Sequence, residues 1–296
     1  MSLDTLIVLV VSGLSGAALL FIVGSGLSLV FGALRLINMA HGSLYMVGAF
    51  LCAVLVATLS GVIGFAAAIV VASVAVGVLG GLIEIAILRR LYQRDPLMQL
   101  VATFSLILII SGLVRVVFGS NNRQVNAPSF LTGSIPVGGL TISAYQVFLI
   151  LVASAVAVGL WVVLYRTGLG RNIRAAVADP ELLGLAGVNV PLLFTTVFVT
   201  GAVLAGLGGA VIAPYHAVGL GIDVEIVVEA FAVTIIGGLG SIGGAMAAAI
   251  MLLVISDVVA VAWSPTWAPL VFFAALVVVL SFRPQGLFGK SAVRAQ

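Results

Sequence analysis

The sequence predicts an all-α membrane protein: a polytopic bundle of about eight or nine transmembrane helices, forming a single domain over residues 1–296. Two observations predict this fold. First, 63% of the 296 residues are hydrophobic and only 7% are charged, whereas a soluble domain is about one quarter charged. Second, the apolar residues form long solid runs rather than the two-residue alternation of a membrane barrel. Because lipid offers no hydrogen bonds to the backbone, such runs are expected to be helices.

The composition excludes several classes of protein. So few charges cannot build a water-soluble surface, so a soluble enzyme, a nucleic-acid-binding protein and a disordered chain are excluded. The net charge of +3 is interpreted as a topology signal. Cys52 is the single cysteine and lies in an apolar run, so we expect a small buried side chain without a disulfide. Asp4, with no basic residue beside it, predicts that the first run is a retained helix.

Eight apolar runs follow one another along the chain, at about residues 5–30, 37–58, 61–87, 97–118, 144–165, 190–213, 226–262 and 267–282. The run 226–262 is too long for one ordinary span and too short for two full ones. Its middle reads GGLGSIGG, and glycines allow a helix to end inside the bilayer. We therefore expect a helix break at the glycines, which gives nine crossings, with eight as the alternative. The expected break glycines are Gly237, Gly238, Gly240, Gly243 and Gly244.

The basic residues predict the orientation. Ten of the 12 lie at four places in the chain, and all four can lie on one side of the membrane, which the positive-inside rule makes cytoplasmic. The N-terminus is then outside, the C-terminus is inside, and the loop 119–143 is outside. The ten residues are Arg35, Arg89, Arg90, Arg94, Arg166, Arg171, Arg174, Arg283, Lys290 and Arg294.

Two short segments resemble nucleotide-binding motifs, but neither has the sequence context that such a motif requires. Residues 238–243 fit the pattern G-x-G-x-x-G, but their flanks are membrane-apolar rather than a strand and a soluble helix. Residues 284–291 nearly spell a phosphate-binding loop, but Pro284 stands where the first glycine should be. The chain has only two histidines and no cysteine cluster. We therefore expect no catalytic residues, no metal site and no cofactor in this chain.

Four polar residues are candidates for lining a translocation path. Asn38 and His41 are three residues apart, which predicts that they share one face of a helix. Glu229 and Thr234 follow one another along a later apolar run, and ionisable groups inside a membrane are usually functional. The alternative is that such residues only fix helix packing through hydrogen bonds. Glu84 is expected to form an ion pair with Arg89 at the cytoplasmic rim.

The cytoplasmic loop 166–189 is long for a bundle connection and carries helix signals. NIRAAVA predicts one short helix. Asp179, Pro180 and Glu181 predict the capped start of a second one, which Gly187 closes. Two short helices of this kind either dock into a soluble partner or lie on the membrane surface, and the residues leave both possibilities open.

Four segments together resemble the branched-chain amino acid permeases of ABC importers. GLSLVFGALRLINMAHGSLYMVGAF (26–50) is similar to their N-terminal signature, and EAFAVTIIGGLGSIGGAMAAAI (229–250) to their glycine-rich C-terminal signature. The loop 166–189 lies where these permeases contact the ATPase, and RPQGLFG (283–289) matches their usual ending. The resemblance covers nearly the whole chain in order.

This resemblance implies a multi-pass subunit of the bacterial cytoplasmic (inner) membrane that translocates branched-chain amino acids. The implied partners are a second related permease, two cytoplasmic ATPases that bind the ATP, and a periplasmic binding protein that delivers the substrate. The loop 166–189, hereafter the coupling segment, would contact the ATPases. Arg174-Ala175-Ala176 stands where the family's coupling consensus has an acid. The implied coupling residues are Gly170, Arg171, Arg174, Asp179, Glu181 and Gly187.

Three other functions compete with this one. The same machinery could carry urea, short amides or another amino acid, since specificity in this family lies largely with the binding protein. A stand-alone secondary transporter or channel would show embedded charge pairs and work without partners. An embedded enzyme would show a reactive set of residues at one depth. The coupling segment discriminates best, because only an ATP-driven importer needs it to bind an ATPase.

Overall fold

The computed structural model describes residues 3–137 and 140–289 and confirms the all-α fold. A short antiparallel hairpin, β1 (Ser134–Val137) and β2 (Leu140–Ser143), lies in the connection between the fourth and fifth helices. The described helices are α1 (Leu3–Leu34), α2 (His41–Thr58), α3 (Gly61–Ala86), α4 (Pro96–Phe118), α5 (Ala144–Arg166), α6 (Gly168–Ala178), α7 (Pro180–Leu185), α8 (Val190–Ile212), α9 (Ile222–Gly237), α10 (Ile242–Ala262) and α11 (Ala268–Phe282).

Within the described residues, eight helical segments are long and apolar enough to cross a membrane. They are α1 to α5, α8, α10 and the last segment, Pro265–Phe282, which includes α11. The expected break in the run 226–262 is confirmed, because α9 ends at Gly237 and α10 begins at Ile242. With 16 residues, α9 is about 24 Å long and shorter than a full span. The sequence predicted nine crossings with eight as the alternative; eight described segments meet the length of a span, and the ninth crossing, through α9, stays a prediction.

Backbone conformation explains the break between α9 and α10. Gly238 and Gly240 have φ angles of +98° and +84°, which side chains disfavour. A side chain on Gly237 or Gly244 would collide with the backbone of the other. Gly243 differs, because it is exposed in the first turn of α10 with open space around it. Four of the five predicted glycines therefore have a steric reason to be glycine.

Residues 283–289 fold back onto this break. The backbone N–H of Leu287 donates to the carbonyl of Ile236 at 2.7 Å, and that of Phe288 donates to Gly237 at 3.1 Å. These bonds satisfy carbonyls at the end of α9 that have no partner inside the helix. The two glycine-containing segments that resemble family signatures thus contact each other. Of the basic residues used to predict topology, Lys290 and Arg294 lie outside the described residues.

The core is centred on α1, α2 and α8, where small residues let backbones approach closely. Gly209 of α8 lies against the backbone of Tyr45 in α2, and Gly206 lies against Val76 of α3. Cys52 of α2 is fully buried, as predicted. By contrast, α4, α5 and α11 expose most of their apolar side chains, the pattern expected of helices that face lipid.

Contacts along the helices show their relative directions. Successive α1 residues meet decreasing α8 numbers, so α1 and α8 are antiparallel. Gly13 of α1 lies against Val254 of α10, whereas Gly32 lies against Gly240 just before α10, so α1 and α10 are antiparallel too. The α3–α4 turn, the coupling segment and residues 283–289 consequently lie at the same end of the bundle, which we call the Arg-rich end. This arrangement agrees with the predicted grouping of the arginines.

Candidate functional site: coupling segment and membrane-embedded polar residues

The first half of the coupling segment folds back against the end of α5. Thr167 caps α6, its hydroxyl accepting a hydrogen bond from the N–H of Gly170 at 3.3 Å. A side chain on Gly170 would collide with the backbone of Leu164 in α5. The guanidinium of Arg174 donates to the carbonyl of Leu164 and lies 5.5 Å from the ring centre of Tyr165. Gly170 and Arg174 therefore fix α6 to α5.

The second half of the coupling segment confirms the predicted caps. Asp179 Oδ1 accepts from the backbone N–H groups of Glu181 at 3.0 Å and Leu182 at 2.9 Å, which starts α7. Gly187 has a φ of +86° and ends the helix. The N–H of Val188 donates to Leu183 at 3.3 Å and that of Gly187 to Gly184 at 3.0 Å, the paired bonds of a Schellman motif. Local signals alone therefore specify α7.

The surface of the coupling segment combines apolar and charged side chains. No residue of α7 is buried, and Leu182 and Leu185 are 64% and 86% exposed. Arg171 of α6 and Glu181 of α7 are exposed as well. An exposed leucine pair on a short helix is suited to a groove on another protein. The arrangement gives the Arg-rich end a protruding two-helix tip.

The connection between α1 and α2 differs from the prediction. Asn38 and His41 do not share a helix face, because α1 ends at Leu34 and α2 begins only at His41. Arg35 has a φ of +52°, which stops α1. The backbone N–H and C=O of Ile37 bond to side chains of α4 instead of a helical turn, at 3.4 Å and 3.2 Å. Residues 35–40 therefore pass through the bundle without helical structure.

This non-helical connection carries polar groups into the core. Asn38 is fully buried, and neither its Oδ1 nor its Nδ2 has a hydrogen-bond partner among the described residues. His41 lies 3.1 Å through Nε2 from the carbonyl of Val23, while its Nδ1 and the hydroxyl of Ser28 are likewise unpartnered. Unpartnered buried polar groups are costly and rare, so they are candidates for contacts made in another state or with a ligand.

Thr234 and Glu229 occupy different environments on α9. Thr234 is buried and donates to the carbonyl of Gly24 at 3.3 Å, next to the carbonyl that His41 contacts. His41 and Thr234 thus meet the same turn of α1. Glu229 is partly exposed. No hydrogen bond joins Glu229 to Asn38, His41 or Thr234 within the described part of the chain.

One buried carboxylate was missed by the sequence prediction. Asp223, in the first turn of α9, is only 2% exposed. Its Oδ2 accepts from Ser43 of α2 at 3.2 Å and from Ser111 of α4 at 2.7 Å. The serines come from distant parts of the chain, so no local pattern could have revealed this contact.

A second carboxylate joins three elements at the Arg-rich end. The predicted Glu84–Arg89 ion pair is confirmed at 3.2 Å, with Glu84 fully buried. Glu84 also accepts from the hydroxyls of Tyr92 at 2.6 Å and Thr195 at 2.9 Å. The bond to Glu84 raises the pKa of Arg89, whereas burial and then the bond to Glu84 raise the pKa of Tyr92. We call these four residues the Glu84 cluster; the sequence prediction missed Tyr92 and Thr195.

The fold and these sites define a multi-pass membrane protein with a few polar groups buried in an apolar interior and a protruding tip. Comparison with known proteins gives its family: residues 9–280 match the family described as branched-chain amino acid transport system / permease component. The chain therefore belongs to this family of transporter permeases, and the predicted resemblance is confirmed.

Curated relatives match over most of the chain. The high-affinity branched-chain amino acid transport system permease protein BraD of Pseudomonas aeruginosa is 29% identical, over 96% of this chain and 95% of its own. The corresponding protein LivH of Escherichia coli K12 is 27% identical over 92% of each chain. A probable branched-chain amino acid transport permease, LivH of Methanocaldococcus jannaschii, is 27% identical over 77% of this chain and 73% of its own. No solved structure matches this chain significantly.

Proposed function

We propose that this chain is the membrane-spanning permease subunit of an ATP-driven importer of branched-chain amino acids in the cytoplasmic membrane. Family membership and the names of the relatives support the substrate class. The observation that carries the ATP-driven mechanism is the coupling segment, whose helix α7 buries none of its residues and exposes Leu182 and Leu185. Only an ATP-driven importer needs this segment to bind an ATPase, whereas in a stand-alone channel or secondary transporter it would lie on the membrane surface.

Four partner subunits complete the importer complex. Two cytoplasmic ATPases bind the ATP and contact the coupling segments, a second related permease forms the other half of the pore, and a periplasmic binding protein delivers the solute. This chain itself holds no cofactor and performs no catalysis. A permease fed by a binding protein needs only brief contact with its solute, so a lightly polar path is sufficient.

The coupling residues divide into two groups by their contacts. Glu181 is exposed on α7 together with the leucine pair, and Arg171 is exposed on α6; these are the residues that we propose to contact the ATPase. The other four shape the segment that presents them. Gly170 and Arg174 attach α6 to α5, while Asp179 and Gly187 begin and end α7.

We propose that the solute passes close to the α1–α2 connection. Asn38 and His41 supply unpartnered polar atoms in an otherwise apolar interior, and Thr234 lies at the same turn of α1. Glu229 lies on the same helix as Thr234 and contributes a carboxyl group to the path. Displacement of the coupling segment by the ATPases alternately opens this path to the two sides of the membrane, because each state binds the ATPase dimer with different affinity.

The test uses the importer isolated from native membranes with its partners and reconstituted in liposomes. Uptake of radiolabelled leucine should require both ATP and the binding protein, and urea uptake should stay at background. Leu185→Asp places a charge in the proposed contact and should remove the ATPase from the complex, whereas the matched control Leu185→Met should retain it. Leucine uptake without ATP would refute the importer function, and full ATPase retention by Leu185→Asp would refute the ATPase-binding role of the coupling segment.

A further inference from the structure

The Glu84 cluster lies where movement of the coupling segment would enter the membrane. Asn189 joins the coupling segment to α8, and its side chain caps α8 by accepting from the N–H of Leu192 at 3.0 Å. Thr195 is six residues further along, in the second turn of α8. Because α7 ends in a closed cap and only residues 186–189 separate it from α8, a displacement of α7 reaches the beginning of α8 with little slack.

The contact that would carry this movement onward is between α8 and α3. These two helices pack along their lengths, with Gly77 and Gly81 of α3 lying against Val203 and Val199 of α8. Contacts of this apolar kind permit packed helices to slide past each other. The contacts with α8 therefore do not by themselves force α3 to follow it.

Hydrogen bonds of the Glu84 cluster oppose such sliding. Glu84 Oε2 accepts from Thr195 Oγ1 at 2.9 Å and from Arg89 Nη2 at 3.2 Å, while Oε1 accepts from the Tyr92 hydroxyl at 2.6 Å. Arg89 Nη2 also donates to Thr195 Oγ1 at 2.5 Å, which closes a ring of bonds across the two helices. Because Glu84 is fully buried, separating it from its donors would leave an unsolvated charge. The ring of bonds holds the two helix ends in one relative position.

We infer that the Glu84 cluster makes the end of α3 move with α8 when the coupling segment is displaced. Glu84, Tyr92 and Thr195 are thus positioning residues that convert ATPase motion into motion of the pore, although none touches ATP or solute. This inference rests on the proposed function, because the Glu84 cluster transmits motion only if the ATPases displace the coupling segment.

Substitutions that remove a single hydroxyl test the inference in the reconstituted importer. Thr195→Val keeps the side-chain shape but loses the bond to Glu84, and Thr195→Ser keeps that bond. The matched control is Thr196→Val, because the Thr196 hydroxyl bonds only the carbonyl of Leu192 within its own helix, at 2.8 Å. The readout is the amount of leucine transported per ATP hydrolysed, measured together with the thermal unfolding midpoint.

Thr195→Val should lower transport per ATP by about fivefold or more, the lower range of measured couplings between sites, while ATP hydrolysis continues. Thr195→Ser and Thr196→Val should stay within about twofold of the unmodified protein on the same scale. A purely structural role predicts a lower unfolding midpoint with unchanged transport per ATP, and that result would overturn the inference. Should Thr195→Val fail to fold, Thr195→Ala removes the same hydroxyl and the same bonds between α3 and α8.

The same preparation separates the two proposals. If Leu185→Asp releases the ATPase while Thr195→Val transports the normal amount of leucine per ATP hydrolysed, the proposed function stands. The inferred role of the Glu84 cluster is then wrong. If Leu185→Asp leaves both the ATPase and ATP-dependent uptake intact, the importer function stands, but the coupling segment does not bind the ATPase and the Glu84 cluster has no driven motion to transmit. If leucine uptake does not require ATP, both proposals fail.

Discussion

Gly238 and Gly240 adopt positive φ angles between α9 and α10, whereas many other described glycines serve helix packing. At Gly238 the lack of a side chain also makes room for the backbone of Gly289 in the returning tail. One residue thus permits both the break and the contact that covers it. Gly243, five residues later, has neither constraint.

This difference predicts unequal effects of alanine at two nearby glycines. Gly238→Ala forces a side chain into a disfavoured conformation, which costs about 1–3 kcal/mol, and pushes the tail away. Gly243→Ala has room and replaces a poor helix former by a good one, so stability should stay equal or rise by up to about 1 kcal/mol. Thermal unfolding of both variants in detergent measures the difference. Equal midpoints would show that the break does not depend on Gly238.

The unpartnered polar atoms of Asn38 either serve transport or are a desolvation cost that the fold tolerates, and a substitution distinguishes the two. The leucine side chain has the same number and branching of heavy atoms as asparagine and no polar atoms, so Asn38→Leu removes a desolvation cost of about 1–3 kcal/mol. The variant should therefore unfold at the same or a higher temperature but import leucine more slowly. A more stable variant with unchanged uptake would remove Asn38 from the translocation path.

At the scale of helices, α7 has one capping residue that the proposed function also uses. Asp179→Ala removes the side-chain acceptor, which costs about 1 kcal/mol of local helix stability, so α7 should fray and ATP-dependent uptake should fall. Asp179→Ser keeps an acceptor and should retain most uptake. Equal losses in the two variants would mean that the negative charge itself contacts the ATPase, and capping is then not what matters.

The sequence predicted those elements whose causes are local. The membrane requires its apolar runs to be helices, and the cap of α7 needs only Asp179, Pro180 and the following turn. The break before α10 followed from its glycines. By contrast, residues 35–40 contain neither Gly nor Pro, and this connection depends on Gln99 and Thr103 of a distant helix.

Contacts of the candidate site were likewise predictable only where the two residues are close in sequence. The Glu84–Arg89 pair was predictable because its members are five residues apart. Thr195, 111 residues from Glu84, and Ser111, 112 residues from Asp223, come together only through helix packing. A single sequence contains no signal for such pairings, since serine and threonine are ordinary residues on membrane helices.

At the scale of the whole molecule, the Arg-rich end unites every feature that the proposed mechanism uses to receive a partner. The coupling segment protrudes there, the Glu84 cluster ties α3 to α8 beside it, and the tail covers the end of α9. The unpartnered polar atoms lie within the bundle, at the non-helical connection that leads from α1 into α2. An ATP-driven permease requires this arrangement, in which the end that binds the ATPase is separate from the buried polar groups of the translocation path.

Affinity purification of this chain from native membranes in mild detergent tests that claim most directly, with the bound proteins identified by mass spectrometry. The account predicts a stoichiometric ATPase with a phosphate-binding loop, together with a second related permease. A chain that is isolated alone, remains folded and moves leucine into liposomes without ATP would contradict it. The protein would then be a stand-alone transporter or channel, and its protruding tip would need another explanation.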